Sequence, residues 1–330
     1  MRLINFFLVR LNYELRLDKK VFKEEKTSES VNFVERHNKF FQHNPEIDIL
    51  RYADKDHFFT KQFKDKLSAG IYSLEKNSCP ICGKDNYISV ARSCEGFGWD
   101  VCTNCGLLQM STRLTNDDMN TFYVSGEYNS VCMGNISEER LFELESRAMS
   151  LYFIDIIQRL DLDLKSLSIV EIGCGSGGIL FALKEAGARS VVGFDIDRSR
   201  IAFGKKYINE LYAQDALSED IDDYNEFDVI ILSNILEHLS TPKDFLLRLS
   251  SKISSDNPVV LIDVPNLDTS FKYSSGTFND FLKISHVWYF NFINIERLLN
   301  QTGFDVEYMF PRGASFTVVA RKSLLKLQTN

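Results

Sequence analysis

The sequence has no apolar run long enough to cross a bilayer. Its longest hydrophobic stretches, residues 228–236 and 258–264, are less than half of the ~20 residues that a membrane-spanning helix needs. Residues 1–17 lack the long apolar segment and the small-residue cleavage site of a secretory signal peptide. These absences predict a cytoplasmic protein without a membrane span.

Positive charge is also in short supply. The chain has 38 Lys and Arg residues against 46 Asp and Glu residues, which gives a formal net charge of -8. A protein that grips a nucleic acid along a broad face needs clustered Lys and Arg side chains to pair with phosphates. The acidic balance therefore disfavours nucleic acid as a partner. The 44% of hydrophobic residues suffice for a packed core and exclude wholesale disorder.

Cysteines are few, and four of the seven fall into two CxxC pairs. The pairs are separated by 19 residues, and a glycine follows the second cysteine of each, as a tight thiolate turn requires. Four thiolates at this spacing are typical of a closed, tetrahedral, structural zinc site. A redox-active CxxC is the alternative, but two matched pairs favour zinc. The predicted ligands are Cys79, Cys82, Cys102 and Cys105, and the spare thiols are Cys94, Cys132 and Cys174.

Three regions differ in pattern. Residues 1–75 contain one proline and one glycine, and their apolar positions recur at helical spacing, which predicts a helical N-terminal extension. Residues 76–130 alternate short β-like runs with glycine turns and would form a small zinc-ribbon module and a linker. In residues 131–330, strands rich in Val, Ile and Leu alternate with amphipathic helices, which predicts an α/β domain.

A glycine-rich turn lies between the first strand and the next helix of this domain. Gly173, Gly175 and Gly177 would let the backbone take positive φ angles and approach a ligand closely. Free N–H groups at the helix start would then hold a polar or negative group. Asp195 and Asp215 end the second and third strands, where a carboxylate can accept hydrogen bonds from a ligand or, alternatively, cap the following helix.

Glu171, the glycine turn, Asp195, Asp215 and the segment FDVIILSNILEHL (227–239) occur in an order that resembles class I S-adenosylmethionine-dependent methyltransferases. The resemblance covers about residues 140–330. It implies a Rossmann-like, seven-stranded, mostly parallel sheet with helices on both faces and an antiparallel last strand. It also implies a cofactor site for S-adenosylmethionine formed by Glu171, Gly173, Gly175, Gly177, Asp195, Asp215, Ala216 and Asn234. A nicotinamide-dependent dehydrogenase is the rival interpretation, but its turn is usually G-x-G-x-x-G.

The candidate catalytic residues follow the fourth strand and precede the last helix. A hydroxyl acceptor needs a base to remove its proton, and His238 is the first candidate, with Glu237 to orient it or bind substrate. His286 is a second candidate for a base or an acceptor contact. For each histidine, a structural role is the alternative. The loop 268–281 is a candidate lid over the site.

The zinc ribbon ahead of a methyltransferase core resembles bacterial enzymes of sugar and surface-polysaccharide biosynthesis. The resemblance implies a small acceptor, a sugar or a nucleotide-sugar, with Tyr123 and Tyr128 as candidate contacts. An RNA-modifying methyltransferase that binds through its ribbon is the alternative function, although segment 76–110 has few Lys or Arg residues. A scaffold without catalysis is a third possibility, against which the intact glycine turn and both aspartates speak.

Overall fold

The structure is a computed structural model. It describes residues 57–76, 78–93, 97–127, 136–218, 221, 223–268, 282–283, 285–312 and 314–324. Most of the expected helical extension and of the expected lid loop lies outside these residues, as do Tyr128, Cys94 and Cys132.

The first described part of the chain contains two helices and a small sheet. Its elements are α1 (His57–Ser68), β1 (Leu74–Glu75), β2 (Tyr87–Arg92), β3 (Gly98–Cys102), β4 (Leu108–Met110), β5 (Arg113–Leu114) and α2 (Asn116–Val124). Strands β2, β3 and β4 are antiparallel neighbours, and β1 pairs with β5.

The second part follows the predicted alternation of strands and helices. Its elements are α3 (Glu138–Leu144), a π-helical turn (Glu145–Met149), α4 (Ser150–Arg159), β6 (Ser168–Ile172), α5 (Gly178–Glu185), β7 (Ser190–Asp195), α6 (Arg198–Gly204), β8 (Leu211–Ala213), β9 (Val229–Ser233), α7 (Pro242–Ser251), β10 (Val259–Pro265), β11 (Trp288–Tyr289), α8 (Phe292–Gln301), β12 (Phe304–Arg312) and β13 (Ser315–Lys322).

Seven strands form one sheet in the order β12-β13-β10-β9-β6-β7-β8. The pairs among β6, β7, β8, β9 and β10 are parallel, and β13 is antiparallel to both of its neighbours. The predicted Rossmann-like fold with an antiparallel last strand is thereby confirmed. Since parallel strands place their carboxyl ends at one edge, the ends of β6, β7, β8 and β9 all lie there.

The sheet is covered on both faces, which explains its near-continuous apolar strands. Every residue of β9 is buried. Because side chains alternate along a strand, Ile230 packs in one core cluster with residues of α7 and α8, and Ile231 packs in another with residues of α4, α5 and α6. A fully buried Ile or Leu contributes ~1.5–3 kcal/mol, so this double burial fixes β9 in the centre of the sheet.

The small sheet of β2, β3 and β4, called the ribbon sheet below, is completed by a strand from far along the chain. Strand β11 pairs with β4, with Trp288 opposite Gln109 and Tyr289 opposite Leu108. The N–H of Met110 donates to the carbonyl of Val287 over 3.0 Å. The four-stranded sheet β11-β4-β3-β2 therefore joins the cysteine-containing module to the segment that follows β10.

The helical segment that precedes β6 is not one continuous α-helix. A π-helical turn at Glu145–Met149 separates α3 from α4. Such a turn rotates the residues that follow it relative to an uninterrupted α-helix.

Among the described residues, no helix is both long and apolar enough to span a membrane.

Candidate functional site

The glycine turn after β6 has the backbone that its sequence predicts. Gly173, Gly175 and Gly177 have φ angles of 72°, 56° and 78°. A Cβ atom on Gly173 would lie 2.0 Å from Cδ1 of Ile235, and one on Gly175 would lie 2.5 Å from Cζ of Arg200. The positive φ angles therefore favour glycine at these two positions, and a Cβ atom there would also displace the end of a neighbouring side chain.

Asp195, at the end of β7, holds the glycine turn directly. Its Oδ2 accepts a hydrogen bond from the N–H of Gly175 at 2.7 Å, and its Oδ1 accepts one from the N–H of Asp197 at 2.8 Å. The helix cap is a different residue, since Oδ1 of Asp197 accepts from the N–H groups of Ser199 and Arg200 at the start of α6. Capping of α6 therefore does not explain Asp195.

Glu171 lies on β6 beside β7 and is only 2% exposed. In the described part of the chain its Oε2 has no hydrogen-bond partner. Burial raises the pKa of Glu171 well above its usual value; the carboxylates of Glu145 and Asp195 raise it further, and Arg200 opposes them. A cationic or hydrogen-bond-donating ligand at this edge would supply the missing partner.

Asp215 follows β8 and is engaged in a local turn. Its Oδ1 accepts from the N–H of Leu217 at 2.8 Å, and its Oδ2 lies 3.4 Å from Nη2 of Arg248. Its side chain is half exposed, whereas Ala216 beside it is buried. Because β7 and β8 are neighbours, with Asp195 opposite Ala213, the structure places Asp195 and Asp215 at the same sheet edge.

An ion cluster beside the glycine turn was not predicted from the sequence. Nε of Arg200 donates to Glu138 and its Nη2 donates to Glu145, each over 2.9 Å. The other oxygen of Glu145 accepts from the N–H of Gly178 at the start of α5, at 3.3 Å. Glu145 and Glu138 precede Arg200 by 55 and 62 residues, and Glu145 begins the π-helical turn. No local sequence pattern therefore predicts these contacts.

Asn234 marks the carboxyl end of β9. It has a φ angle of 53°, which is uncommon for a residue other than glycine. Its N–H donates to the carbonyl of Asp263 on β10 at 2.9 Å. This backbone turns the chain towards the predicted catalytic residues at the sheet edge.

Glu237, His238 and His286 come together although His286 is 48 residues further along the chain. Nδ1 of His238 lies 2.6 Å from the carbonyl oxygen of Ser285, so Nδ1 carries the proton and donates it. Nε2 of His238 then faces Oε1 of Glu237 at 3.7 Å. The rings of His238 and His286 meet edge to face, with their centroids 4.8 Å apart.

Burial shifts the pKa values of two members of this trio. Burial lowers the pKa of His238 to about 4, an effect that the hydrogen bond to Ser285 partly opposes. Burial also raises the pKa of Glu237 well above its usual value. Glu237 is fully buried, and neither of its carboxyl oxygens has a hydrogen-bond partner among the described residues. The trio therefore offers an imidazole nitrogen with a lone pair beside an unsatisfied carboxyl group.

The small sheet holds this trio in place. The carbonyl of Glu237 accepts from the N–H of Val287 at 2.7 Å, and Nε1 of Trp288 donates to the carbonyl of Leu239 at 2.7 Å. Trp288 belongs to β11, which pairs with β4 of the ribbon sheet. On another side, the ring of Tyr123 from α2 meets the ring of His238 at 6.3 Å.

The four predicted metal ligands form one cluster. Their Sγ atoms all lie within 4.8 Å of one another, with 3.4 Å between Cys79 and Cys105 and 3.5 Å between Cys82 and Cys102. Four sulfur atoms at ~2.3 Å from a central zinc ion would be roughly 3.8 Å apart, so the cluster fits a tetrahedral ion. The N–H of Gly83 donates to the carbonyl of Cys79, which closes one of the tight turns.

Comparison with known proteins identifies one region of the chain. Residues 145–308, about half of the chain, match the family model of a methyltransferase domain. A ubiquinone biosynthesis O-methyltransferase of Pelagibacter ubique is 32% identical over 114 residues, which are 33% of this chain and 47% of that protein. A tRNA U34 carboxymethyltransferase of Campylobacter hominis is 28% identical over 133 residues, which are 39% of this chain and 46% of that protein. The chain spans about half the length of these curated relatives.

Solved structures with a similar fold include further methyltransferases. A SAM dependent methyltransferase from Archaeoglobus fulgidus is 20% identical and aligns with a TM-score of 0.43 over 55% of this chain and 98% of that chain. A magnesium protoporphyrin IX methyltransferase from Synechocystis, solved with bound SAM, is 17% identical and aligns with a TM-score of 0.44 over 62% of this chain and 98% of that chain.

Proposed function

Since residues 145–308 are a class I methyltransferase domain, we propose that the chain transfers a methyl group from S-adenosylmethionine to a small acceptor, a sugar or nucleotide-sugar of surface-glycan biosynthesis. The observation that carries this proposal is the meeting of two groups of residues at one sheet edge. The first group is the glycine turn, which follows Glu171 at the end of β6, together with Asp195 at the end of β7. In the second group, Glu237 and His238 follow β9, and His286 lies beside them.

The residues after β6, β7 and β8 would hold the cofactor. Glu171, with its unpartnered oxygen, would face the cationic methionine part, and the glycine turn would allow close approach of the backbone. Asp195 would accept hydrogen bonds from the ribose hydroxyls. Asp215 and Ala216 would contact the adenine. When bound, S-adenosylmethionine would supply a methyl group already activated by the sulfonium charge.

The trio would prepare the acceptor for the transfer. Nε2 of His238 would accept the proton that an acceptor hydroxyl loses when it is methylated. The carbonyl of Ser285 keeps the required tautomer by accepting from Nδ1. Glu237, at 3.7 Å from Nε2, would stabilise the imidazolium that results. The burial of Glu237 would help to exclude water from this step.

The four cysteines would hold a structural zinc ion. All four positions of a tetrahedral ion would be filled by thiolates, so no position would stay open for substrate. Zinc would stabilise a module that is too small to bury a core alone. Through the pairing of β4 with β11, the same module would support the segment that carries His286.

The charge of the ribbon supports a small acceptor rather than an RNA. Segment 76–110 has three basic residues and three acidic ones: Lys76, Lys84, Arg92, Asp85, Glu95 and Asp100. A neutral module in an acidic chain provides little of the phosphate pairing from which RNA affinity arises. One relative is named as a tRNA-modifying enzyme, so tRNA belongs in the test as the competing acceptor.

Methyl transfer from labelled S-adenosylmethionine tests the proposal. The full chain is incubated with a panel of nucleotide-sugars and, separately, with tRNA. We expect labelled nucleotide-sugar and no label in tRNA. Label in tRNA alone would overturn the acceptor class. Absence of calorimetric binding of S-adenosylmethionine to the folded chain would overturn the activity itself.

A further inference from the structure

A second set of metal-ligand side chains lies apart from the cysteines, at the proposed acceptor site. We propose that Glu237, His238 and His286 bind a divalent transition-metal cation, which competes with the acceptor's proton for His238. The three ligand atoms, two imidazole nitrogens and a carboxylate oxygen, lie within 4.8 Å of one another. The inhibitory consequence rests on the proposed function, whereas binding of the cation does not.

His238 is oriented as a ligand should be. Histidines that bind metals commonly donate their second ring N–H to a carbonyl or a carboxylate, which fixes the tautomer and aims the other nitrogen at the ion. The 2.6 Å contact between Nδ1 of His238 and the carbonyl of Ser285 is of this kind. It leaves Nε2 directed towards Glu237.

Glu237 supplies a second, independent observation. It is 0% exposed, and neither carboxyl oxygen has a hydrogen-bond partner in the described part of the chain. Polar groups in protein interiors are nearly always paired, because burying one without a partner costs free energy. A bound cation would provide the missing partner. Two charges act on Glu237 in opposite directions: the negative Asp263 raises its pKa, and the positive Lys283 lowers it.

The distances suit a small ion after a modest adjustment. Bonds of ~2.0–2.2 Å from zinc to nitrogen and oxygen place neighbouring ligand atoms roughly 3–3.5 Å apart. Side-chain rotation would shorten the 3.7 Å distance between Nε2 of His238 and Oε1 of Glu237 by a few tenths of an ångström. The other ligand atoms, which lie within 4.8 Å of one another, would move closer by up to about 1.5 Å.

The ligand set also selects the class of ion. Imidazole nitrogens favour zinc, cobalt, nickel and iron, whereas magnesium and calcium prefer all-oxygen sites. Three protein ligands would leave coordination positions for water or for an acceptor oxygen, unlike the closed four-cysteine cluster. An ion on Nε2 of His238 would occupy the lone pair that the proposed proton transfer needs.

Cobalt titration of the full chain loaded with a single equivalent of zinc, for the four thiolates, tests binding without reference to activity. We expect about one further equivalent of Co²⁺ with weak visible absorption and no intense thiolate-to-cobalt band, because the ligands are nitrogen and oxygen. Glu237→Gln and His286→Asn should each weaken this binding at least ~10-fold. Glu185→Gln, a change at an exposed glutamate near the end of α5, should leave it unchanged. Circular dichroism of each zinc-containing variant, recorded before cobalt is added, verifies its fold.

Three results would overturn the metal site: no second equivalent, thiolate bands in the second equivalent, or unchanged affinity in both site variants. For the inhibitory part, Co²⁺ should slow methyl transfer, dilution of the ion should restore the rate, and Mg²⁺ should have no effect. Binding without slower transfer would overturn the competition. Binding in a chain that transfers no methyl group even without Co²⁺ would support the site and count against the proposed function.

Discussion

Oδ2 of Asp195 accepts a 2.7 Å hydrogen bond from the backbone N–H of Gly175, twenty residues earlier in the chain. The bond connects the end of β7 to the glycine turn after β6, so the two features that a nucleotide-type cofactor needs are built as one unit. Since Asp197 caps α6, the Asp195 carboxylate is not engaged in capping that helix.

Replacing Asp195 by alanine should weaken S-adenosylmethionine binding by at least ~10-fold, because a hydrogen bond to a charged group contributes about 1.5–3 kcal/mol. Calorimetric titration measures the change. Asp223→Ala is the matched control, since Asp223 is exposed and its carboxylate accepts, within the described part of the chain, only a local N–H, from Asn225. Equal affinities of the two variants and the parent chain would remove Asp195 from the cofactor site.

Gly173→Ala should destabilise the fold more than Gly70→Ala does. The two glycines have nearly the same φ angle, 72° and 70°, but a Cβ on Gly173 meets Cδ1 of Ile235 at 2.0 Å, whereas one on Gly70 meets nothing within 4 Å. Left-handed backbone costs alanine about 1–2 kcal/mol at both positions. Overpacking adds roughly 1–3 kcal/mol at Gly173 alone.

Urea unfolding at a fixed pH gives both free energies of unfolding. The added variant Ile235→Ala, combined with Gly173→Ala, should recover part of the difference because it removes the clashing atom. Equal losses in the two single variants would mean that Ile235 does not confine the glycine turn.

Removing the cysteine cluster should affect the distant trio. Cys79→Ser should lose the zinc that we expect metal analysis to find in the parent chain, lower the unfolding temperature and reduce methyl transfer. The reason is that β4 loses support and with it β11, which follows His286 directly. Ser78→Ala is the control, because Ser78 is the exposed neighbour of Cys79 and lies outside the cysteine cluster. Full zinc content in Cys79→Ser would contradict the assignment.

The sheet was predictable because its buried strands consist almost entirely of apolar residues, which the sequence shows directly. The five residues of β9 and the seven of β10 are all buried, and nearly all are apolar. The cysteine cluster was predictable for a similar reason, since two matched short spacings determine it locally. The roles assigned to Asp195, Asp215 and His238 in binding and catalysis stay predictions, although the structure places them at the expected sheet edge.

Other features depend on contacts that no local pattern encodes. The two residues of β11 complete a sheet whose nearest strand ends at Met110, so this pairing spans most of the chain. The π-helical turn is a shift of backbone hydrogen bonds without a side-chain signature, and it positions Glu145 over Gly178. The Arg200 ion cluster includes Glu145 from that turn, and the sequence did not predict the cluster either.

Glu171→Gln should show that the cofactor site carries a stability cost that grows with pH. The folded-state pKa of Glu171 is raised above the ordinary 4.5 by burial and by Glu145 and Asp195, against the opposing charge of Arg200. A raised carboxyl pKa contributes stability that is fully present below pH 4.5 and is lost as pH rises through the folded-state value. Glutamine imitates the neutral form at every pH.

The free energies of unfolding of the parent chain and of Glu171→Gln should therefore be similar at the acidic end of the range. Above pH 4.5 the variant should become progressively the more stable of the two, until the folded-state pKa is passed. The same variant should bind S-adenosylmethionine more weakly, because an amide cannot pair with a cationic ligand as a carboxylate can. Urea unfolding at several pH values and calorimetry give both quantities. A constant stability difference across pH would show that Glu171 is not held neutral, and undiminished binding would show that its charge does not serve the cofactor.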